Sequence, residues 1–160
     1  MRISDRWVFG GLAVASLGML GGALVLGEIF RIHPCYWCNF QRLLCMILAF
    51  FGFCGVLLPG WRRAWSPLLA ATALGGMLAA GRQSWMQLAE DAIECGFGDP
   101  TPVERLVDWL SGLWPSMFMV TGLCKEKDWV LLGLTLANWS GVCFFALLCV
   151  SLWTLFRRAP

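Results

Sequence analysis

The chain predicts an all-α membrane protein, a four-transmembrane-helix bundle with a short outer surface helix in its second outer loop. Three observations lead there. Hydrophobic residues fill 59% of the 160 positions and charged residues only 14%, a mixture too apolar for an ordinary water-soluble domain. Four apolar runs have about the length needed to cross the hydrocarbon core of a bilayer. Arginine pairs then mark one set of run ends, as the positive-inside rule requires. A single integral membrane domain, 1–160, accounts for the length. The cations behind the formal charge of +2 are scattered singly or in pairs and give no footprint for nucleic acid.

The first span is placed at about 7–30, with an uncharged part from Trp7 to Gly27 that is longer than a signal peptide's apolar core and so predicts a retained anchor. The second, at about 40–58, ends at Pro59-Gly60. The third, at about 65–81, carries small residues (Ala70, Ala71, Ala73, Gly75, Gly76, Ala79, Ala80) that let a neighbouring helix approach closely, with Arg82 at the membrane boundary. The fourth, at about 136–156, lies in a stretch from Trp129 to Phe156 that has no charge. Trp7, Trp61, Trp65, Trp129 and Trp153 stand at run ends, where an indole can keep its ring in lipid and its N–H in a wet layer.

Arg2 and Arg6, Arg62 and Arg63, and Arg157 and Arg158 place both termini and the central connection on the cytoplasmic side. The connections at about 31–39 and 82–128 then face outward, and the second is net acidic. Within it, Val103–Trp114 is amphipathic at helical spacing. Val103, Leu106, Val107, Trp109, Leu110, Leu113 and Trp114 share one face, and Glu104, Arg105, Asp108, Ser111 and Gly112 the other. Pro115 ends the pattern. Such a helix would lie in the outer membrane surface.

Sorting the eight cysteines by this topology separates two classes. Cys45, Cys54, Cys143 and Cys149 fall inside spans and read as small apolar core residues. Cys35 and Cys38 fall in the first outer loop, Cys95 and Cys124 in the second. Two residues separate Cys35 from Cys38, a spacing that closes a small, exchangeable disulfide, and Arg42 follows Cys38 by one helical turn. Cys95 and Cys124 flank a stretch loosened by Gly96, Gly98, Pro100 and Pro102. Four outer cysteines allow three pairings. A purely structural staple is the plain alternative, since a loop of this size gains about 3.5 kcal/mol from closure. A tetra-cysteine zinc site is disfavoured by the wide spacing of the second pair, so no metal is expected.

These residues resemble the DsbB family of bacterial inner-membrane thiol oxidoreductases. The resemblance rests on Pro34-Cys35-Tyr36-Trp37-Cys38-Asn39-Phe40-Gln41-Arg42, on Trp85-Met86-Gln87-Leu88, on Gly122-Leu123-Cys124-Lys125-Glu126-Lys127-Asp128-Trp129 and on Leu132-Gly133-Leu134, in order along nearly the whole chain. It implies the bacterial inner membrane, periplasmic redox loops, a periplasmic DsbA-like oxidase of thioredoxin fold as partner, and membrane quinone (ubiquinone or menaquinone) as electron acceptor. It further implies that Cys35, Cys38, Cys95 and Cys124 are catalytic. A partner would attack the Cys95–Cys124 disulfide at Cys95, Cys124 would attack Cys35, and Cys38 would meet quinone beside Arg42. The chain departs from the family at Gln83, where many relatives carry His. An amide donates and accepts but does not titrate near neutrality, so Gln83 and its neighbour Arg82 are the remaining quinone-contact candidates. A vitamin K epoxide reductase-like quinone reductase is a rival that fits less well, because its cysteine pair belongs in the last span. A non-enzymatic, disulfide-stapled adaptor is the other.

Reporter fusions test the topology directly. A periplasm-active reporter is expected to be silent at Gly60 and active at Gly98.

Overall fold

In this computed structural model, residues 3–89, 99–125 and 129–156 are described. A first helix, α1, covers Ile3–Phe30. It ends where Arg31 takes a left-handed backbone (φ 52°) and the Ile32 N–H turns back to the Gly27 carbonyl at 3.0 Å. Helix α2 covers Tyr36–Leu57 and α3 Arg62–Leu88, joined by a 3-10 turn at Pro59–Trp61. The connection that follows α3 carries α4, Pro102–Leu113, and the single turn α5, Pro115–Phe118. A short hairpin pairs β1, Val130–Leu131, with β2, Leu134–Thr135, and leads into α6, Leu136–Phe156. Among the described residues, α1, α2, α3 and α6 are long and apolar enough to cross a membrane. They form the four-helix membrane bundle that the composition predicts.

Several helix ends run past the sequence boundaries, and two of them, near the cysteines, do so for one reason. The apolar run of the third span stops at Arg82, but α3 continues to Leu88; likewise α2 starts at Tyr36, ahead of the apolar run near Asn39. A charge or a polar residue ends the hydrocarbon layer without ending the i to i−4 hydrogen bonding of a helix. Gln83, Met86 and Gln87 are therefore helical, and so is Cys38. The α4 start is fixed locally. Thr101 accepts from the Glu104 N–H at 3.3 Å while its own N–H donates to Glu104 at 2.6 Å, a reciprocal capping box with Pro102 in the first turn. The hairpin turn at Leu132-Gly133 puts both residues at positive φ (53° and 79°), the backbone that a two-residue connection favours.

Helix α1 packs along α2, α2 along α3, and α3 along α6, whereas α1 and α6 barely touch. Small residues set these contacts. A Cβ on Gly55 would enter the Phe9 ring, and one on Gly76 would enter the Phe144 ring. On α3, Ala70, Ala73, Ala79 and Ala80 are buried, but Ala71 faces outward. The core is Phe9, Leu12, Leu20, Leu44, Leu48, Leu69, Phe144 and Leu147. Val14, Leu17, Phe50, Phe53, Leu78, Val142 and Phe145 point away from the protein, as lipid-facing positions do. Hydroxyls turn inward: Ser16 donates to the Leu12 carbonyl, Ser151 to the Leu147 carbonyl, and Thr154 to Ser66 across α3 and α6 at 3.2 Å.

Gly76→Ala is expected to cost about 1–3 kcal/mol by overpacking against Phe144. Gly81→Ala, with open space around its Cβ, should leave the detergent-unfolding midpoint unchanged.

Candidate functional site

Cys35 is the N-cap of α2. The first backbone bond of that helix, from the Asn39 N–H to the Cys35 carbonyl at 3.0 Å, puts Cys38 in the opening turn, where unpaired N–H groups and the helix dipole favour negative charge. The Cys35 thiol donates to the Cys38 sulfur at 3.2 Å. The connection that follows α3 comes back onto this point. Thr121 and Gly122 donate their N–H groups to the Pro34 carbonyl at 3.0 and 3.2 Å, and the fully buried Asn39 amide donates to the Phe118 and Met119 carbonyls at 2.7 and 3.2 Å. A Cβ on Gly122 would collide with the His33 carbonyl. The approach requires glycine.

That docking seats Cys124, itself fully buried, in a small cluster with Cys35 and Met86, edged by Tyr36, Trp37 and Cys38. Hydrogen bonding to Cys124, then to Cys38, and then burial push the Cys35 thiol well above the ordinary cysteine range. Cys35 is thereby held as a thiol, flanked by the sulfurs of Cys38 and Cys124. Cys95 lies outside the described residues.

On the other side of Cys38 is a cavity of about 210 Å³ between α1, α2, α3 and α6, at the place where α1 and α6 part. Its walls are mainly apolar, supplied by residues such as Met19, Leu20, Leu26, Ile32, Leu136 and Phe144, and its polar end holds Cys38, Arg42, Gln41 and Gln83. One guanidinium nitrogen of Arg42 donates to Asn39 at 3.2 Å and to the Met117 carbonyl at 3.0 Å, so the loop that carries Cys124 also fixes the guanidinium. Gln83 donates its amide N–H to the Cys38 sulfur at 3.1 Å. Gln41 in turn donates to the Gln83 oxygen at 3.0 Å.

The structure thus brings together five of the residues singled out from sequence: Cys35, Cys38, Cys124, Arg42 and Gln83. Arg82 is exposed and is not among the cavity-lining residues. His33 is exposed, and its backbone, not its ring, meets the second loop. Asn39 and Gln41 carried no assigned role in the sequence. The available signal was their polarity: two amides at the head of an apolar span are costly unless partnered, which marks such residues as functional candidates.

A multi-pass helix bundle with a buried thiol cluster at one end, opening on an apolar cavity, defines a membrane protein of the thiol-oxidoreductase class. Comparison with known proteins narrows this. The chain matches the family described as disulfide bond formation protein DsbB over residues 5–154. It is 44% identical over 144 residues to disulfide bond formation protein B of Dechloromonas aromatica (strain RCB), covering 89% of this chain and 87% of that protein. To disulfide bond formation protein B 1 of Pseudomonas syringae pv. syringae (strain B728a) it is 36% identical, with 83% and 79% covered. To the Nitrosomonas europaea (strain ATCC 19718 / CIP 103999 / KCTC 2705 / NBRC 14298) protein B it is 34% identical, with 92% and 93% covered. The chain belongs to the DsbB family of membrane disulfide bond formation proteins.

Gly122→Ala tests the loop docking. In a Cys38→Ser/Cys95→Ser background, mild oxidation should cross-link Cys35 to Cys124. Adding Gly122→Ala should lower that yield roughly tenfold, because disulfide geometry tolerates little displacement. Gly112→Ala, with nothing near its Cβ, should leave the yield unaltered.

Proposed function

We propose that this protein is a thiol:quinone oxidoreductase of the bacterial inner membrane, with both termini cytoplasmic and the redox loops periplasmic, that reoxidises a DsbA-like thioredoxin-fold oxidase. The observation that carries this reading is the two-sided setting of the α2 thiols. Cys35 meets Cys124 of the second loop, and Cys38 meets an apolar cavity whose polar end holds Arg42 and Gln83.

The cavity suits a quinone head group. Its volume of about 210 Å³ exceeds the roughly 150 Å³ in which an apolar protein cavity takes up a benzene ring. The side chains at its polar end fit as well, since the Arg42 guanidinium and the Gln83 amide are donors suited to a carbonyl oxygen that gains negative charge. Bound there, a quinone would accept two electrons and two protons and leave as the quinol.

The chain's own residues do the remaining work. A thiolate of the reduced partner opens the Cys95–Cys124 disulfide at Cys95, which forms a mixed disulfide and releases Cys124. The Cys124 sulfur attacks Cys35 of the Cys35–Cys38 disulfide; one S–S bond forms, one breaks, and the electron pair of the broken bond rests on Cys38. There the Gln83 N–H donates to the sulfur, and the start of α2 adds its dipole. The partner's second thiol then expels Cys95, and the oxidised partner departs. Cys95 attacks Cys124, restores their disulfide and releases Cys35. The two electrons taken from the partner now sit on Cys35 and Cys38, the pair beside the cavity. The short outer helix α4 exposes Leu106, Trp109, Leu113 and the following Trp114 while burying Val107. Resting on the lipid surface, it would keep the Cys124 loop close to α2.

Purified protein, a reduced thioredoxin-fold partner and a soluble quinone analogue provide the test, with quinone absorbance as readout. Bleaching is expected only with all three present, and Cys38→Ser should abolish it. Absence of turnover in the native chain would favour a disulfide-stapled adaptor.

A further inference from the structure

Gln41 and Gln83 are both buried, 7% and 5% exposed, and they bond in one direction only. The Gln41 N–H donates to the Gln83 oxygen at 3.0 Å, and the Gln83 N–H donates to the Cys38 sulfur at 3.1 Å. A side-chain amide has an acceptor end and a donor end. Its terminal torsion is broad and roughly two-fold, so an unrestrained Gln83 can turn either end toward Cys38. With its oxygen forward, two acceptors would face each other and the sulfur would lose one of its two donors, the other being the Cys35 thiol. A hydrogen bond from Gln41 to that oxygen stabilises the arrangement with the N–H on the sulfur. Gln41 is three residues after Cys38 on α2, hence on the same face of the helix, whereas Gln83 reaches in from α3.

We infer that Gln41 is a positioning residue for Cys38: by holding the oxygen of Gln83, it fixes that amide with its N–H on the sulfur. The inference rests on the proposed function in taking Cys38 as the sulfur from which electrons leave. Its claim is specific to direction. Gln41 acts on Cys38 only through Gln83.

A double-substitution cycle measures that dependence in the full-length reduced protein. The rate of Cys38 alkylation by iodoacetamide, read by peptide mass at fixed pH, follows thiolate availability and needs neither quinone nor partner. Gln83→Met should slow alkylation roughly tenfold, about the factor that one hydrogen bond to a charged group supplies. Gln41→Met should slow it several-fold in the native background and not at all in the Gln83→Met background. The same fold-loss in both backgrounds, or no loss in either, overturns the inference, since a packing role for Gln41 would not depend on Gln83. If Gln41→Met fails to fold, Gln41→Glu takes its place in the cycle. A carboxylate at position 41 draws the Gln83 N–H to itself and away from the sulfur. Gln41→Glu should therefore slow alkylation more in the native background than in the Gln83→Met background, and equal slowing overturns the inference. The two readings fail separately. Alkylation that follows the cycle in a protein that never bleaches quinone supports the role of Gln41 and removes the proposed function; turnover with a Gln41→Met alkylation rate equal to native does the reverse.

Discussion

The grip of Asn39 on the loop that carries Cys124 is the interaction on which the rest of the site depends. Its amide N–H group is spent on the carbonyls of Phe118 and Met119, and its oxygen accepts from Arg42. The side chain is fully buried. Lifting the loop away would leave these groups unpaired at a cost of about 1–3 kcal/mol for each buried group. The same docking brings Thr121 and Gly122 onto the Pro34 carbonyl. Cys124 meets Cys35 as a result.

A gradient of environment runs through the site. At its outer end Cys124 and Cys35 are enclosed by protein; at its inner end Cys38 opens on a mainly apolar space between helices. Arg42 belongs to both halves, bonded to the docked loop through the Met117 carbonyl while lining the cavity. A change in loop position therefore reaches the guanidinium directly, through a bond and not through a chain of packed side chains. The thiol cluster and the cavity share one anchor point.

Much of this was legible in the sequence, and the reasons are local. Hydropathy marked four spans because lipid forces every spanning segment to satisfy its own backbone, which for apolar runs of this length means helices. The spacing of Cys38 and Arg42 placed both side chains on one helix face because they are one turn apart in the chain. The pattern of α4 was visible for the same reason, although its apolar residues divide in the structure, with Val107 buried against the protein and Leu106, Trp109 and Leu113 outward. Helix ends were less legible. Charge reported where the apolar layer stops, and α2 and α3 both run past it.

The sequence by itself determined the membrane class, the four helices, and the Cys35–Cys38 pair at the head of the second span, because each of these follows from residues close together in the chain. Only the tertiary structure decided that Cys124 sits on Cys35, that Gln83 faces Cys38 with Gln41 bonded to its oxygen, and that Arg82 is exposed. Those facts depend on how α2 and α3 are rotated against each other and on a loop approach that glycine at 122 permits. Rotation is set by interlocking side chains from helices distant in sequence, such as Phe144 filling the space over Gly76, and a one-dimensional pattern of polarity carries no record of it.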